Sequence, residues 1–150
     1  IYNQPKTTYV AEFMGGWNVV SGTVADVNNG QATLKGNDGL LYTLNANGND
    51  VGADMSFGVR RDKIHLGRSD SEDKNSVTGV VHAIEYQGNW VKVTIVKPNE
   101  ERLVAVIEDY EYFENPASLG DTVHAIWSVE DGRVLEKALG SQNLIGETFG

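Results

Sequence analysis

The sequence predicts an all-β protein that contains two related repeats, and three features support this prediction. Apolar residues recur at every second position through most of the chain, as expected for half-buried strands. Three dipeptides, Asn29-Gly30, Asp38-Gly39 and Asp131-Gly132, are typical of hairpins because type I′ turns require positive φ. Short strings in the first half recur in the same order in the second half, which indicates an internal duplication.

About five short strands are predicted in each half. The period-two segments lie at 19–27, 31–35, 40–44, 55–59 and 64–66, and again at 77–86, 90–97, 102–107 and 122–127. A short helix is predicted before them at residues 5–15, capped by Thr7 or Thr8 and ended by Gly15 and Gly16.

The repeat rests on two matched strings. The segment 18–22 (NVVSG) matches 75–79 (NSVTG), and the segment 51–55 (VGADM) matches 119–123 (LGDTV). Five strands per half predict a small Greek-key barrel of the oligonucleotide/oligosaccharide-binding (OB) type. The fold class is therefore all-β, with two tandem OB-like small barrels or one composite β domain, and with a short helix before them.

The predicted domain organisation has five parts. The second repeat is the longer one, with its extra length mainly in 97–116. The parts are a connecting helix at 1–16, a first repeat at 17–66, a linker without hydrophobic residues at 67–75, a second repeat at 76–137 and a tail at 138–150.

The composition argues against several classes of function. The formal net charge is −9, which opposes nucleic-acid binding because that needs a basic face. No cysteine is present, so disulfides and thiol chemistry are excluded. The sequence contains no run of about 18 apolar residues, so it predicts no membrane-spanning helix. Because the first residue is Ile1, we expect the chain to be a piece of a longer protein.

The sequence lacks the common catalytic motifs. It contains no P-loop, GxGxxG, GxSxG, HExxH or EF-hand pattern. His82 and His124 occupy the same string, VHAI, but a zinc site needs three or four ligands, and only His65 and carboxylates could complete one. We therefore expect two strand histidines without a ligand role and no metal site.

The segment 108–116 (EDYEYFENP) alternates carboxylates with aromatic side chains. Carboxylates and aromatic faces together can hold an alkylammonium ion. The alternative is a solvated loop whose like charges spread apart. The candidate ligand-binding or regulatory residues are Glu108, Asp109, Tyr110, Glu111 and Tyr112.

A basic cluster at residues 60–63 is the second candidate. Arg60, Arg61 and Lys63, together with Trp90, are predicted to contact a partner, and the alternative is a hairpin in which Asp62 neutralises one charge. Tyr86, Trp90 and Lys92 would be the set for single-stranded nucleic acid, but the negative charge opposes that function.

Several segments together resemble a known family. They are similar to the C-terminal region of ABC-transporter ATP-binding subunits, nearest the spermidine/putrescine import type, with the maltose and ferric-iron types close behind. That region carries tandem OB-like domains called TOBE domains. The segment 59–63 (VRRDK) resembles the family's Val-Arg-Pro-Glu turn, but Arg61 and Asp62 replace Pro and Glu, which loosens the turn. The segments are IYNQP, TTYVAEFMGG, NVVSGTV, VGADMSFGVRRDKIHL, SVTGVVHAIEYQGNWVKVTI and LGDTVHAIWSVEDGRVLE.

The resemblance implies a non-catalytic regulatory and dimerisation role at the inner face of the cell membrane, in the cytoplasm. ATP and Mg²⁺ would bind the separate ATPase domain, and no cofactor is expected in this segment. The implied partners are a second copy of the subunit, the permease subunits through the ATPase domain, and a small solute, with no nucleic acid. The alternatives are a molybdate-type oxyanion-binding module and the equivalent domain of a sugar or iron importer.

Overall fold

The computed structural model describes residues 15–67 and 74–135, which form two compact units. Of the described residues, unit 1 contains 15–59 and 132–135, and unit 2 contains 60–67 and 74–131. The predicted helix at 5–15, apart from Gly15, and the predicted tail at 138–150 lie outside the described residues, as do 68–73 of the predicted linker.

The described residues are almost entirely strands. In chain order the elements are β1 (Trp17–Asn28), β2 (Gln31–Gly36), β3 (Leu41–Asn45), β4 (Asp54–Arg60), a 3-10 turn (Arg61–Lys63), β5 (His65–Leu66), β6 (Lys74–Gln87), β7 (Trp90–Val96), β8 (Arg102–Glu108), the helix α1 (Asp109–Glu114), β9 (Thr122–Ser128), a second 3-10 turn (Val129–Asp131) and β10 (Arg133–Leu135). No helix among the described residues has the length and apolar character needed to cross a membrane.

The two units have the same strand order. Unit 1 is a five-stranded sheet in the order β10-β4-β1-β2-β3, and unit 2 is a five-stranded sheet in the order β5-β9-β6-β7-β8. In unit 1, β10 also contacts β3, so this sheet curls until its two edge strands meet. The predicted all-β, OB-like fold is confirmed.

Alternation along the strands places the core on one side of each sheet. In β2, Ala32 and Leu34 are buried while Gln31 and Lys35 are exposed. β4 departs from this rule, since residues 55–59 are all buried. The largest fully buried side chains include Tyr42, Phe57, Leu34, Leu44 and Val59 in unit 1, and Trp127, Ile95, Leu103 and Ile64 in unit 2.

The first two predicted hairpins are present, with different turns. Asn29 and Gly30 both have positive φ, 51° and 79°, so they form the predicted type I′ turn between β1 and β2. Between β2 and β3 only Gly39 has positive φ, 84°, and its N–H donates to the Gly36 carbonyl at 2.9 Å. Asp38 holds this longer loop by accepting from the Leu40 N–H at 2.9 Å, so the type I′ prediction for Asp38-Gly39 is wrong.

The prediction of a third hairpin, at Asp131-Gly132, is wrong, because the strands on either side do not pair with each other. The strand before it, β9, pairs with β5 and β6, whereas the strand after it, β10, pairs with β4. A 3-10 turn redirects the chain between these two strands.

The basic cluster at residues 60–63 likewise does not form a hairpin turn. The 3-10 turn at Arg61–Lys63 leads from β4, in the sheet of unit 1, to β5, in the sheet of unit 2. The short strands β5 and β10 therefore take the same place in opposite sheets. Each sequence repeat contributes four strands to one unit and its fifth strand to the other. The predicted boundaries of the two repeats, 17–66 and 76–137, describe the duplicated sequence. The compact units have different boundaries because they follow the strand pairing, so the repeat boundaries stay a prediction.

A bulge in β1 fixes the loop that precedes β4 in unit 1. The register shifts between Val24 and Asp26. At this point the Val24 N–H donates to the Ala53 carbonyl at 2.9 Å, and the Gly52 N–H donates to the Val24 carbonyl at 2.8 Å. The loop is closed by a third bond, from the Ala53 N–H to the Asp50 carbonyl at 3.0 Å.

The same bonds recur in unit 2. The register of β6 shifts between Val81 and Ala83. The Val81 N–H donates to the Asp121 carbonyl at 2.9 Å, the Gly120 N–H donates to the Val81 carbonyl at 2.9 Å, and the Asp121 N–H donates to the Ser118 carbonyl at 3.0 Å. Shared bulge positions and shared loop bonds are strong support for the predicted duplication.

Two residues before each bulge, a glycine allows adjacent strands to approach closely. A Cβ at Gly22 would lie 2.0 Å from the carbonyl oxygen of Lys35. A Cβ at Gly79 would lie 2.4 Å from Cγ2 of Ile95 and 2.7 Å from the carbonyl oxygen of Val96. Glycine is required at both positions because the obstacle includes backbone, which cannot rotate away.

Replacing these glycines by alanine is expected to destabilise the protein. Gly22→Ala and Gly79→Ala should each lower the free energy of unfolding by about 1–3 kcal/mol through overpacking, with the larger loss for Gly22. Gly16→Ala is the matched control, since nothing lies within 4 Å of its Cβ position. Urea unfolding followed by circular dichroism measures the loss, and equal midpoints for all four proteins would contradict it.

The pairing of β10 with β4 predicts that substitutions in β10 also lower the stability of unit 1. Leu135 is 3% exposed and packs with Trp17, whereas its neighbour Val134 is 41% exposed. Leu135→Ala should cost about 2–5 kcal/mol and Val134→Ala much less. Amide hydrogen exchange at residues 56–58, which pair with β10, should become faster in Leu135→Ala. Unchanged protection there would contradict the pairing.

Candidate functional site

The acidic and aromatic segment 108–116 forms the end of β8 and the helix α1. The predicted alternative of a loop is therefore wrong for Asp109–Glu114, which is helical. The helix lies on the path from β8 to β9 within unit 2. In unit 1 the equivalent connection, between β3 and β4, contains no helix. The helix thus belongs to the extra length of the second repeat.

Tyr112 anchors α1 to unit 2. It is 3% exposed, and its hydroxyl donates to the Ala117 carbonyl at 2.6 Å. Its ring makes edge-on contacts with Tyr86 and Phe113, with centroids 6.1 and 5.2 Å away. Burial, and after it the neighbouring Tyr86 hydroxyl, raises the pKa of Tyr112 above its ordinary value. Tyr112 therefore acts as a structural anchor whose hydroxyl stays protonated.

The other aromatic side chains around α1 face the solvent. Tyr86 and Phe113 are stacked, with centroids 6.0 Å apart and planes 3° apart, and they are 63% and 58% exposed. Tyr110 is 65% exposed and lies one helical turn from Phe113 on α1. Trp90 is 38% exposed and pairs in register with Glu108.

Glu108 connects Trp90 with Tyr110. The Tyr110 hydroxyl donates to Oε1 of Glu108 at 3.1 Å, and this bond, followed by the Glu108 charge, raises the pKa of Tyr110. Because residues directly opposite in a β-ladder point to the same side, Trp90 and Glu108 share a surface. The same rule places Tyr86 on the other side of the sheet, because Tyr86 pairs with the buried Val91 while Trp90 pairs with Gln87.

The remaining acidic residues of the segment have separate contacts. Oε2 of Glu111 lies 2.8 Å from Nδ1 of His65 on β5. The Asp109 N–H donates to the Asn89 carbonyl at 2.9 Å and attaches the helix to the β6–β7 hairpin. Glu114 is exposed.

The five predicted ligand-binding residues consequently point in different directions. Tyr112 faces inward and Glu111 faces β5, whereas Glu108 and Tyr110 contact each other at the surface. A ligand-binding role for the whole set stays a prediction. The stacked pair of exposed rings, Tyr86 and Phe113, was absent from that set. The signal that could have found Tyr86 is the comparison of the two hairpin tips, where unit 1 has no aromatic residue.

The basic cluster is partly neutralised within itself. Nη2 of Arg60 lies 2.8 Å from Oδ2 of Asp62, as the alternative prediction required, although in a 3-10 turn. This turn packs against β8, and Arg61 is half-buried there. A partner contact by Arg60, Arg61, Lys63 and Trp90 stays a prediction.

A shallow cleft of about 280 Å³ lies beside α1 in unit 2. It is bounded by residues 66–67, 115–117 and 121–124. Its titratable side chains already have partners: Oδ2 of Asp121 accepts from the Ser118 N–H at 2.8 Å, and Nδ1 of His124 lies 3.1 Å from Oγ1 of Thr78. Across residues 15–67 and 74–135, no three His, Asp or Glu side chains are grouped closely enough to hold a metal ion.

Comparison with curated proteins finds relatives of one kind. The chain is 27% identical, over 95% of its length, to the spermidine/putrescine import ATP-binding protein PotA of Protochlamydia amoebophila (strain UWE25), and covers 40% of that protein. It is 30% identical, over 90% of its length, to PotA of Thermobifida fusca (strain YX), and covers 35% of it. The chain therefore spans about two fifths or less of these relatives, and matches their C-terminal part.

A solved structure shares the fold. The cytoplasmic molybdate-binding protein ModG, crystallised with molybdate, superposes with a TM-score of 0.68 at 17% identity, covering 78% of this chain and 94% of the ModG chain. At this identity the likeness concerns the fold alone. The family model described as the TOBE domain matches residues 57–135, more than half of the chain. The chain belongs to the TOBE domain family.

Proposed function

We propose that the chain is a regulatory and dimerisation region, without catalytic activity of its own, of the ATP-binding subunit of an ABC importer for polyamines. The observation that supports this most is the similarity of 95% of the chain to the C-terminal part of a spermidine/putrescine import ATP-binding protein. Membership of the TOBE domain family and the OB-like fold agree with it. The relatives favour a polyamine importer over the sugar and iron types.

The proposed mechanism is thermodynamic linkage. A second copy of the subunit or a regulatory ligand that binds one arrangement of the paired ATPases better than another shifts the population towards that arrangement. ATP and Mg²⁺ would bind the separate ATPase domain, which would contact the permease subunits. This role places the chain in the cytoplasm, at the inner face of the membrane.

The geometry of the described residues is consistent with a role other than catalysis. In the cleft of unit 2, Asp121 caps a backbone N–H and His124 contacts a threonine hydroxyl. The first contact closes the loop before β9 on itself, and the second ties β9 to β6. A general base needs a substrate proton within reach, and these two groups already have structural partners.

A second candidate is a molybdate-type oxyanion-binding module, favoured by the fold shared with ModG. The net charge of −9 opposes it, because an anion would have to approach an acidic chain. The two binding hypotheses require ligands of opposite charge, so they are separable by one measurement.

Titration calorimetry of the 150-residue chain with molybdate, sulfate and spermidine is the first test. We expect no heat of specific binding with either anion, since the chain repels anions at moderate salt. Saturable molybdate binding that sulfate does not reproduce would replace the proposal by the oxyanion alternative.

Deletion in the full-length protein is the second test. Removing the region equivalent to this chain should leave ATP hydrolysis by the ATPase domain within a few-fold of the intact protein, while its dependence on the transported solute changes. ATPase and uptake assays in proteoliposomes measure both effects. A deletion that leaves regulation intact, or a reading frame upstream without a P-loop, would contradict the proposal.

A further inference from the structure

We propose that the fold directs spontaneous deamidation to Asn47 and protects Asn29 from the same reaction. In this modification the side-chain amide is lost as ammonia and a carboxylate takes its place. Asn47 and Gly48 lie in the loop that joins β3 to β4 in unit 1. The inference concerns the chemistry of this loop and does not depend on the proposed function.

The sequence contains two Asn-Gly pairs, Asn29-Gly30 and Asn47-Gly48. Asparagine followed by glycine is well suited to deamidation, because glycine has no Cβ to hinder the approach of its own backbone nitrogen to the asparagine side chain. By sequence alone the two pairs are equally reactive. They differ in structure, and the difference matters because the reaction requires rotation of the asparagine backbone.

The reaction has two balanced steps. The backbone nitrogen of Gly48 attacks Cγ of Asn47, so that a new N–Cγ bond forms while the bond from Cγ to the amide nitrogen breaks. Ammonia leaves with the proton of the Gly48 N–H, and a five-membered cyclic imide remains. Water then opens the imide at Cγ to give aspartate, or at the backbone carbonyl to give isoaspartate. The co-reactant is therefore water alone.

Closure of the imide ring places a geometric demand on the backbone. Cβ, Cα, the carbonyl carbon and the following nitrogen all belong to the ring, so Cβ and that nitrogen must become nearly eclipsed about the Cα–C bond. Neither extended strands nor the left-handed turn region has this arrangement. An asparagine therefore reacts only when its backbone can leave the conformation that it has in the folded protein.

Asn29 is held firmly in its folded conformation. It has a φ of 51° and forms a type I′ turn with Gly30. The flanking strands pair directly next to this turn, Asn28 with Gln31, and the Gly30 carbonyl accepts from the Ala46 N–H at 2.9 Å. Rotation at Asn29 would disrupt these bonds, so the hairpin protects Asn29 from ring closure.

Asn47 is held less firmly. Asn47 and Gly48 are both exposed, and residues 47–49 make no backbone–backbone hydrogen bond to any residue that the structure describes. Nδ2 of Asn49 donates to the Asn47 carbonyl at 3.2 Å, in an exposed contact. Oδ1 of Asn47 lies 3.2 Å from the Cβ position of Gly30, without a hydrogen bond there. Because segments with few hydrogen bonds open at a low cost in free energy, Asn47 reaches the reactive geometry more easily than Asn29.

Deamidation would change this loop without unfolding unit 1. A carboxylate at position 47 makes the formal net charge one unit more negative than −9. Isoaspartate also adds one carbon to the backbone of the loop. The far end of the loop is fixed to Val24 through Gly52 and Ala53, so we expect the added length to be taken up by residues 47–49.

Incubation of the 150-residue chain at mildly alkaline pH, followed by tryptic digestion and mass spectrometry, tests the proposal. Cleavage after Lys35 separates the two pairs, so Asn29 falls in peptide 7–35 and Asn47 in peptide 36–60. We expect deamidated 36–60, with the change located at Asn47 by fragmentation, to accumulate about tenfold faster than deamidated 7–35. A sample digested without incubation corrects for reaction during digestion.

Unfolding and two variants provide the controls. In urea that unfolds the chain, the two rates should become similar, because the turn no longer protects Asn29. Asn47→Gln would have to close a six-membered ring, so it should abolish the reaction in peptide 36–60. Asn29→Gly removes the other pair, keeps the positive φ that the turn requires, and should leave the rate in 36–60 unchanged. Circular dichroism verifies that both variants are folded.

Four results would overturn the proposal. The first is no deamidation at Asn47 in the folded chain, and the second is deamidation of Asn29 at an equal or higher rate. The third is a rate difference that persists in urea, which would assign it to sequence and not to the fold. The fourth is an undiminished signal in Asn47→Gln, which would move the site to another asparagine of the same peptide.

Discussion

The fold depends on the close approach of two strands at a single glycine in each unit. Gly22 brings β1 against β2, and Gly79 brings β6 against β7, with backbone where a Cβ would lie. Two residues later the ladder includes Val24 or Val81, and a bulge then leaves the next residue, Ala25 or His82, unpaired. The loop before the fourth strand donates to and accepts from Val24 or Val81. The long first strand can therefore turn, so that one sheet serves as both walls of a small core.

A second feature is the way in which the two halves of the sequence are joined. Each unit presents a fourth strand, β4 or β9, whose outer edge is completed by a short strand from the opposite half of the sequence. A buried Leu135 beside Trp17 shows the effect for unit 1. Because an unpaired strand edge is a hazard for aggregation, this exchange protects both sheets at the expense of only five residues, two in β5 and three in β10.

The sequence was sufficient for the strands, the Asn29-Gly30 turn and the repeat, since alternation and positive-φ dipeptides are local signals. It was insufficient for the partners of β5 and β10, because alternation indicates which side chains are buried and not which edge is free. It also missed the helix α1, since six residues are too few for a helical period to appear.

In the candidate site, the stretch from Glu108 to Phe113 was recognisable by composition, whereas the stacking of Phe113 on Tyr86 depends on residues distant in sequence. The β6–β7 hairpin has two more residue pairs after its bulge than the β1–β2 hairpin, a difference that became visible only once the register was known.

The account's central claim is that a duplicated scaffold exchanges its last strands. Nuclear Overhauser effects in the isotope-labelled chain test the exchange most directly. The account predicts cross-strand contacts between 133–135 and 56–58, and between 65–66 and 125–126. Contacts between β4 and β5, or between β9 and β10, as in two separate hairpins, would contradict it.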